Sequence, residues 1–133
     1  MNTKGQTFTK KYGPWAVVAG GSEGLGAAFA ATLAKKGLNL VLIARRKEPL
    51  DALSAELRRA HAIDVHAIQS DLSSPESAEE ISAATADLPV GLFIYNAVLS
   101  NTGPFLSYPK EKHLQLLRTN CVTPLSLVHR FAG

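Results

Sequence analysis

Four runs of apolar residues recur along the chain, separated by stretches in which apolar positions repeat every three or four residues. The first, second and fourth runs have no polar alternation, which is typical of strands buried on both faces of a parallel sheet. The third run alternates apolar and polar residues, as a half-buried strand does. The sequence therefore predicts strands over residues 16–19, 38–44, 63–68 and 90–95, each followed by a helix.

Strand and helix alternate over most of the chain, without internal repeats or linkers. A strand–helix–strand unit is almost always right-handed and joins parallel strands. The pattern therefore predicts an α/β fold with a doubly wound parallel sheet. The last predicted helix follows Pro109, and it is long and amphipathic. Its apolar residues fall on one face and are Leu114, Leu117, Cys121, Leu125 and Val128.

A glycine-rich turn joins the first predicted strand to the first predicted helix. Gly20, Gly24 and Gly26 have the spacing G-x-x-x-G-x-G, and no Lys follows the last glycine as a Walker loop would require. Glycine allows a tight turn and lets a ligand approach the backbone, while the free N–H groups of the next helix attract anions. We expect a dinucleotide pyrophosphate to bind at Gly20, Ser22, Gly24, Leu25 and Gly26. A glycine turn without a ligand is the alternative.

Basic residues follow the second predicted strand, at the distance from the glycines where an acidic residue would bind the ribose 2′-hydroxyl of NAD. The residues here are Arg45, Arg46 and Lys47. An Arg side chain suits a 2′-phosphate because it is planar, always charged and able to donate paired hydrogen bonds. The sequence therefore predicts NADP rather than NAD, with Arg45 as the phosphate ligand and Arg46 as a second candidate. A solvated basic cluster is the alternative.

The third predicted strand ends just before Asp71 and Leu72. Ligands of open α/β sheets collect at the carboxyl ends of the strands. The Asp71 carboxylate and the Leu72 amide are therefore candidates for binding the adenine amino group. A turn-forming role for Asp71 is equally open.

The number of strands limits the domain that the chain can form. A doubly wound dinucleotide-binding fold has about six strands, whereas the pattern here predicts four. We therefore predict a truncated Rossmann-like sheet. Residues 1–14 are expected to be an N-terminal leader, and residues 15–133 an NAD(P)-binding Rossmann domain that is incomplete at its C-terminus.

Composition excludes several other classes of protein. The chain has 133 residues, of which 46% are hydrophobic and 19% charged, as in an ordinary soluble domain. A formal charge of +3 without a long basic run argues against a nucleic-acid partner, and no segment has the apolar length of a membrane span. The single cysteine, Cys121, cannot form an intrachain disulfide, and the histidines show no metal-ligand spacing. We expect a cytoplasmic protein without a metal.

These residues together resemble the short-chain dehydrogenase/reductase family. Its T-G-x-x-x-G-x-G pattern is matched from Ala19 to Gly26, its adenine-contacting Asp by Asp71, and its N-N-A-G pattern by residues 95–98. The resemblance covers the chain from about residue 12 onward. It implies the strand order 3-2-1-4, cofactor contacts at Asn96 and Ala97, and an active-site role for Asn120. The opening and second strands are similar to the branch that reduces 3-oxoacyl groups and 17-keto steroids.

The sequence departs from the family pattern in ways that bear on catalysis. Ala19 replaces a Thr, and Tyr95 and Val98 alter the fourth-strand motif. The resemblance implies a Tyr-x-x-x-Lys pair well after the helix that carries Asn120, in which Tyr exchanges a proton with the substrate. The chain ends thirteen residues after Asn120, so we expect this pair to be lacking and the chain to be inactive as given.

The predicted function is that of an NADP-dependent short-chain oxidoreductase of a carbonyl or alcohol substrate, present as its cofactor-binding portion. The resemblance further implies a homo-oligomer for a full-length form. One alternative is a nucleotide-binding or interaction module that never carried catalysis. Another is a different nucleotide-binding α/β enzyme, such as a methyltransferase.

Overall fold

The computed structural model describes residues 3–133, with side chains from residue 7 onward, so Met1 and Asn2 of the expected leader lie outside the described residues. Four strands alternate with helices. The strands are β1 (Trp15–Ala19), β2 (Asn39–Ala44), β3 (Val65–Gln69) and β4 (Val90–Tyr95). The helices are α1 (Thr3–Tyr12), α2 (Gly24–Lys35), α3 (Lys47–His61), α4 (Ser77–Ala84), α5 (Lys110–Leu117) and α6 (Thr123–Ala132), with a 3₁₀ turn at Phe105–Ser107 and a π-helical segment at Arg118–Val122.

All four strands form one parallel sheet in the order β3-β2-β1-β4. This arrangement confirms the predicted truncated Rossmann-like fold and its strand order. The register pairs Ala19 with Ile43 and with Tyr95, and Ala44 with Gln69. The carboxyl ends of the strands therefore lie along one edge of the sheet.

The chain divides into two compact units. The first comprises the described residues up to Ser70 together with Asp87–Asn96, and it contains the whole sheet with α1, α2 and α3. The second comprises Asp71–Ala86 and Ala97–Gly133, and it contains α4, α5, α6 and the π segment. The expected boundary between a leader and a domain at residues 14 and 15 stays a prediction.

The core of the first unit is built around β1 and β2. Every residue of β1 is buried, as are five of the six residues of β2, which confirms the burial indicated by their unbroken apolar runs. Leu50 and Leu57 of α3 are buried, and Leu53 packs against the same cluster. The apolar face of α3 therefore packs against the core.

Helix α2 ends at Lys35, and Gly37 follows it closely. The Gly37 amide donates to the Ala34 carbonyl over 2.9 Å, the Leu38 amide donates to the Leu33 carbonyl, and Gly37 has a φ of 90°. Such a positive φ favours glycine, and it turns the chain directly into β2.

The expected leader contributes a helix to the first unit. The Thr9 hydroxyl of α1 donates to the Lys36 carbonyl over 3.1 Å, and the Phe8 side chain packs against the hydrophobic core. Because α1 begins with polar residues and is only ten residues long, its apolar positions gave too weak a pattern to be recognised.

Helices α4 and α6 of the second unit each contribute buried residues. Ile81 and Thr85 of α4 and Leu127 of α6 are fully buried, and the Thr123 hydroxyl donates to the Leu72 carbonyl over 2.8 Å. A short turn precedes α4. The Ser74 amide donates to the Asp71 carbonyl, and this turn delays α4 until Ser77.

The last predicted helix differs from a regular amphipathic helix in two respects. A π-helical segment interrupts it at Arg118–Val122, because Pro124 has no N–H with which to continue the α-helical hydrogen bonds. The predicted apolar face also points outward in this chain, since Leu117, Leu125 and Val128 are 49%, 72% and 50% exposed. The buried face carries Thr119, Thr123 and Leu127 instead.

Candidate nucleotide-binding site

The glycine turn is anchored to the end of β2 by its own backbone. The amides of Gly20 and Gly21 both donate to the Ile43 carbonyl, over 2.8 and 3.2 Å. Helix α2 begins at Gly24, so its first N–H groups face the same turn, which is the arrangement that binds anions. Gly20 and Gly24 have φ values of 80° and 55°, which favour glycine.

Gly26 shows how closely the start of α2 packs on the glycine turn. A Cβ on Gly26 would lie 1.9 Å from the Gly20 carbonyl oxygen and 3.1 Å from the Gly21 Cα. The start of α2 therefore packs directly on the backbone of the turn, where only glycine fits. The residues present fit a dinucleotide phosphate group.

Two other predicted site residues of the first unit lie at the same edge of the sheet. The Asn96 amide, just after β4, donates to the Ala19 carbonyl over 2.8 Å. Arg45 follows β2 directly, two residues after the Ile43 carbonyl that anchors the turn, and its side chain is exposed. The structure therefore brings the glycine turn, Arg45 and Asn96 together at the carboxyl ends of β1, β2 and β4.

The cations after β2 differ in their partners. Arg46 forms an ion pair with Glu23 of the glycine turn, and the Lys47 ammonium lies 3.1 Å from the Asp51 carboxylate. Within residues 7–133 the Arg45 guanidinium has no carboxylate within ion-pair distance. Arg45 is thus the member of the cluster whose charge is not already matched.

Sequence reasoning missed two features of this edge. The first is the ion pair between the Glu23 carboxylate and Arg46, which the sequence pattern did not predict. The Ser70 hydroxyl is buried at the end of β3 and has no hydrogen-bond partner among the described residues, while the Ser70 amide donates to the Ala44 carbonyl. The sequence signal for the ion pair was the presence of an acid within the turn and a base just after the next strand.

The adenine candidates belong to the second unit. The Asp71 carboxylate accepts hydrogen bonds from the Ser73 amide and the Ser73 hydroxyl, over 3.0 and 2.7 Å. Leu72 is buried, and its carbonyl accepts the Thr123 hydroxyl. Asp71 therefore forms an Asx-type turn, which is the alternative that its position left open. An adenine contact by Asp71 and Leu72 stays a prediction.

Asn120 holds a loop of the second unit through both ends of its side-chain amide. The Leu99 amide donates to Asn120 Oδ1 over 3.0 Å, and Asn120 Nδ2 donates to the Leu99 carbonyl over 2.7 Å. Asn120 also lies in the π-helical segment, a type of segment that is common at functional sites. Ala97, two residues before Leu99, is part of the same unit.

A Tyr-x-x-x-Lys spacing does occur in the chain, at Tyr108 and Lys112. The expectation that the spacing is absent is therefore wrong. This pair precedes Asn120, however, whereas the resemblance implies a pair that follows it. The Tyr108 hydroxyl donates to the Thr102 carbonyl over 2.6 Å, so this tyrosine has a bond within its own loop.

Comparison with known proteins identifies the family to which this fold and glycine turn belong. The family model described as short chain dehydrogenase matches residues 14–132. The chain belongs to the short-chain dehydrogenase family.

Among its relatives within the short-chain dehydrogenases is a 7β-hydroxysteroid dehydrogenase of Mediterraneibacter gnavus, 37% identical over 94% of the chain and 48% of the relative. A solved 7β-hydroxysteroid dehydrogenase structure superposes with a TM-score of 0.91 at 35% identity, covering 94% of this chain and 50% of that one. The structure of a short-chain dehydrogenase of Sphingobium yanoikuyae in complex with NADPH superposes with a TM-score of 0.79 at 31% identity. The match covers 90% of this chain and 47% of that one. The chain thus spans about half the length of the relatives it matches.

Two further features of residues 3–133 bear on partners. No helix among them is long and apolar enough to cross a bilayer. No three His, Cys, Asp or Glu side chains among them are grouped as ligands of a metal ion.

The phenol of Tyr95, the residue that alters the fourth-strand motif, has a raised pKa. Burial at the end of β4 raises the pKa of Tyr95 to about 12. The folded chain thus favours the neutral phenol more than the unfolded chain does, in which the pKa is about 10. The stability that this preference contributes is complete below about pH 10 and is lost as the pH rises through about 12.

We therefore expect Tyr95→Phe to resist alkaline denaturation better than the wild type. Urea unfolding at about pH 8 and about pH 11 measures this, and the difference in unfolding free energy should move in favour of the variant at the higher pH. A difference that is the same at both values of pH would contradict the assignment.

Proposed function

We propose that the chain is the cofactor-binding portion of an NADP-dependent short-chain oxidoreductase, which transfers hydride between NADPH and a carbonyl or alcohol substrate. The observation that carries the choice of cofactor is the unmatched charge of Arg45 beside the anchored glycine turn. A guanidinium suits a phosphate because it donates two parallel hydrogen bonds. The NADPH complex of the Sphingobium relative supports the same choice, and NAD is the less favoured cofactor.

Each part of the cofactor has its own candidate residues in this proposal. The glycine turn, residues 20–26, holds the pyrophosphate, and Arg45 holds the 2′-phosphate. Asp71 and Leu72 bind the adenine, while Asn96 and Ala97 contact the cofactor after β4. The bound cofactor supplies the hydride. Asn120 orders the Leu99 backbone through its two hydrogen bonds, which is the part of the active site that this chain carries.

The remaining parts of the proposal concern the whole enzyme. We propose that the 133 residues bind the cofactor without turnover, because no Tyr follows Asn120 in the sequence to exchange a proton with the substrate. The homo-oligomer proposed for a full-length form is supported by the exposed apolar residues Leu117, Leu125 and Val128. A cytoplasmic location also remains part of the proposal.

Arg45→Ala tests the choice of cofactor. We expect NADPH to bind about 10- to 100-fold more weakly, since charge-assisted hydrogen bonds contribute about 1.5–3 kcal/mol, while NADH binding stays unchanged. Titrations that follow nicotinamide fluorescence measure both affinities.

Lys47→Ala is the matched control for Arg45→Ala, because it removes a neighbouring cation whose charge Asp51 already matches. The control should leave the preference for NADPH intact. An unchanged preference in Arg45→Ala would refute the phosphate role. Binding of S-adenosylmethionine, but of neither nicotinamide nucleotide, would refute the oxidoreductase proposal and favour a methyltransferase.

A further inference from the structure

Glu23 places a negative charge within the turn that is proposed to bind a pyrophosphate. It is the N-cap residue of α2, immediately before Gly24, and its side chain makes no capping hydrogen bond to the helix. A carboxylate at this position repels an approaching anion. At moderate salt, two negative charges repel each other when they are closer than the screening length of about 10 Å. A turn that binds phosphates therefore needs some means of compensating this charge.

A cation that compensates the Glu23 charge lies in the same unit. Arg46 pairs with the Glu23 carboxylate, although the two residues belong to the N-termini of different helices, α3 and α2. The backbone at both positions is extended, with φ values of −146° and −92° for Glu23 and Arg46. The ion pair thus joins the glycine turn to the segment that follows β2.

We infer that Arg46 is the counter-ion of Glu23, which neutralises the glycine turn for an incoming pyrophosphate, and that it is not a second ligand of the 2′-phosphate. Arg46 is therefore a positioning residue that acts through Glu23, whereas Arg45 is the residue that distinguishes NADPH from NADH. Both Glu23 and Arg46 are more than half exposed, so the pair contributes little to stability and its main effect is on the local potential. The inference rests on the proposed function.

The two roles predict different patterns of affinity. A ligand of the 2′-phosphate affects NADPH alone, since NADH lacks that group. A counter-ion of Glu23 affects both nucleotides equally, since both carry the pyrophosphate. When Glu23 itself is neutral, loss of the counter-ion should leave the affinity for both nucleotides unchanged.

The experiment is a double-mutant cycle on the full 133-residue chain, with NADPH and NADH titrated against wild type, Arg46→Gln, Glu23→Gln and the double variant. We expect Arg46→Gln to weaken both nucleotides by the same factor, about three- to tenfold at low salt. The double variant should restore both affinities to within about twofold of wild type, since the pair then carries no charge. The loss in Arg46→Gln should shrink at about 0.5 M salt, where exposed charges are screened.

Lys47→Gln is the matched control, because it removes the adjacent cation but leaves the Glu23 pair in place, and it should change neither affinity. Thermal unfolding of each variant should stay close to that of the wild type. A loss for NADPH alone that the double variant does not restore would make Arg46 a phosphate ligand and overturn the inference, and so would no loss for either nucleotide. A wild-type chain that binds neither nucleotide would overturn the proposed function itself, together with this inference.

Discussion

Gly26→Ala is expected to abolish NADPH binding and to lower the free energy of unfolding by about 2–4 kcal/mol. The added methyl group would lie 1.9 Å from the Gly20 carbonyl oxygen and 2.8 Å from the Gly20 carbonyl carbon. These are backbone atoms, so no side-chain rotation can relieve the contact. The start of α2 must therefore move away from the turn.

Such a movement removes the feature on which nucleotide binding depends. The turn is fixed to β2 through the Ile43 carbonyl, whereas the N–H groups that face it belong to α2. When α2 moves, its free N–H groups no longer face the turn, so they cannot bind an anion held there. Fluorescence titration with NADPH and urea unfolding measure the two effects.

Gly24→Asn is the matched control for Gly26→Ala. A Cβ at Gly24 has no atom within 4 Å, so only the positive φ of 55° opposes a side chain there. Asn adopts this conformation more readily than other residues, and the cost should stay below about 1 kcal/mol. If both variants bind NADPH as the wild type does, the close approach of α2 is not what forms the site.

The fold could be predicted largely because two of its four strands are buried, whereas β3 is mostly exposed and β4 only partly buried. Strands β1 and β2 are apolar without alternation, and this pattern follows directly from burial on both faces. The glycine turn could be predicted equally well. Gly26 packs so closely on the Gly20 carbonyl that any side chain there would prevent the contact. Patterns of this kind report constraints that act on single residues.

Features that depend on pairs of distant residues were not predictable in the same way. The partner of Arg46 lies in another segment, and only the three-dimensional structure brings Glu23 to it. The outward face of α6 likewise depends on what packs against the helix, and the periodicity of Leu125 and Val128 does not indicate which side that is. The position of Asn120 came from resemblance alone, whereas its bonds to Leu99 give it a physical role.

Asn120→Asp is expected to lower the free energy of unfolding by about 2–4 kcal/mol at neutral pH, although it changes hardly any volume. The Asn120 amide donates to the Leu99 carbonyl over 2.7 Å and accepts from the Leu99 amide. An aspartate keeps the acceptor but places a second oxygen against the carbonyl, so a hydrogen bond becomes a repulsion. Loss of donor character, rather than loss of packing, is therefore what the variant measures.

The pH dependence distinguishes this cause from a general effect of the substitution. A protonated aspartic acid can donate to the Leu99 carbonyl again, so the folded variant binds a proton more tightly than the unfolded chain does. The loss of unfolding free energy in Asn120→Asp, relative to the wild type, should therefore shrink as the pH falls from about 7 to about 4. Urea unfolding of both proteins at each pH measures it.

Asn39→Asp is the control, because Asn39 Oδ1 only accepts a hydrogen bond from the Asp64 amide, over 3.0 Å, and an aspartate can do the same. A deficit of the same size in Asn120→Asp at both values of pH would mean that the donated bond to Leu99 does not hold this loop.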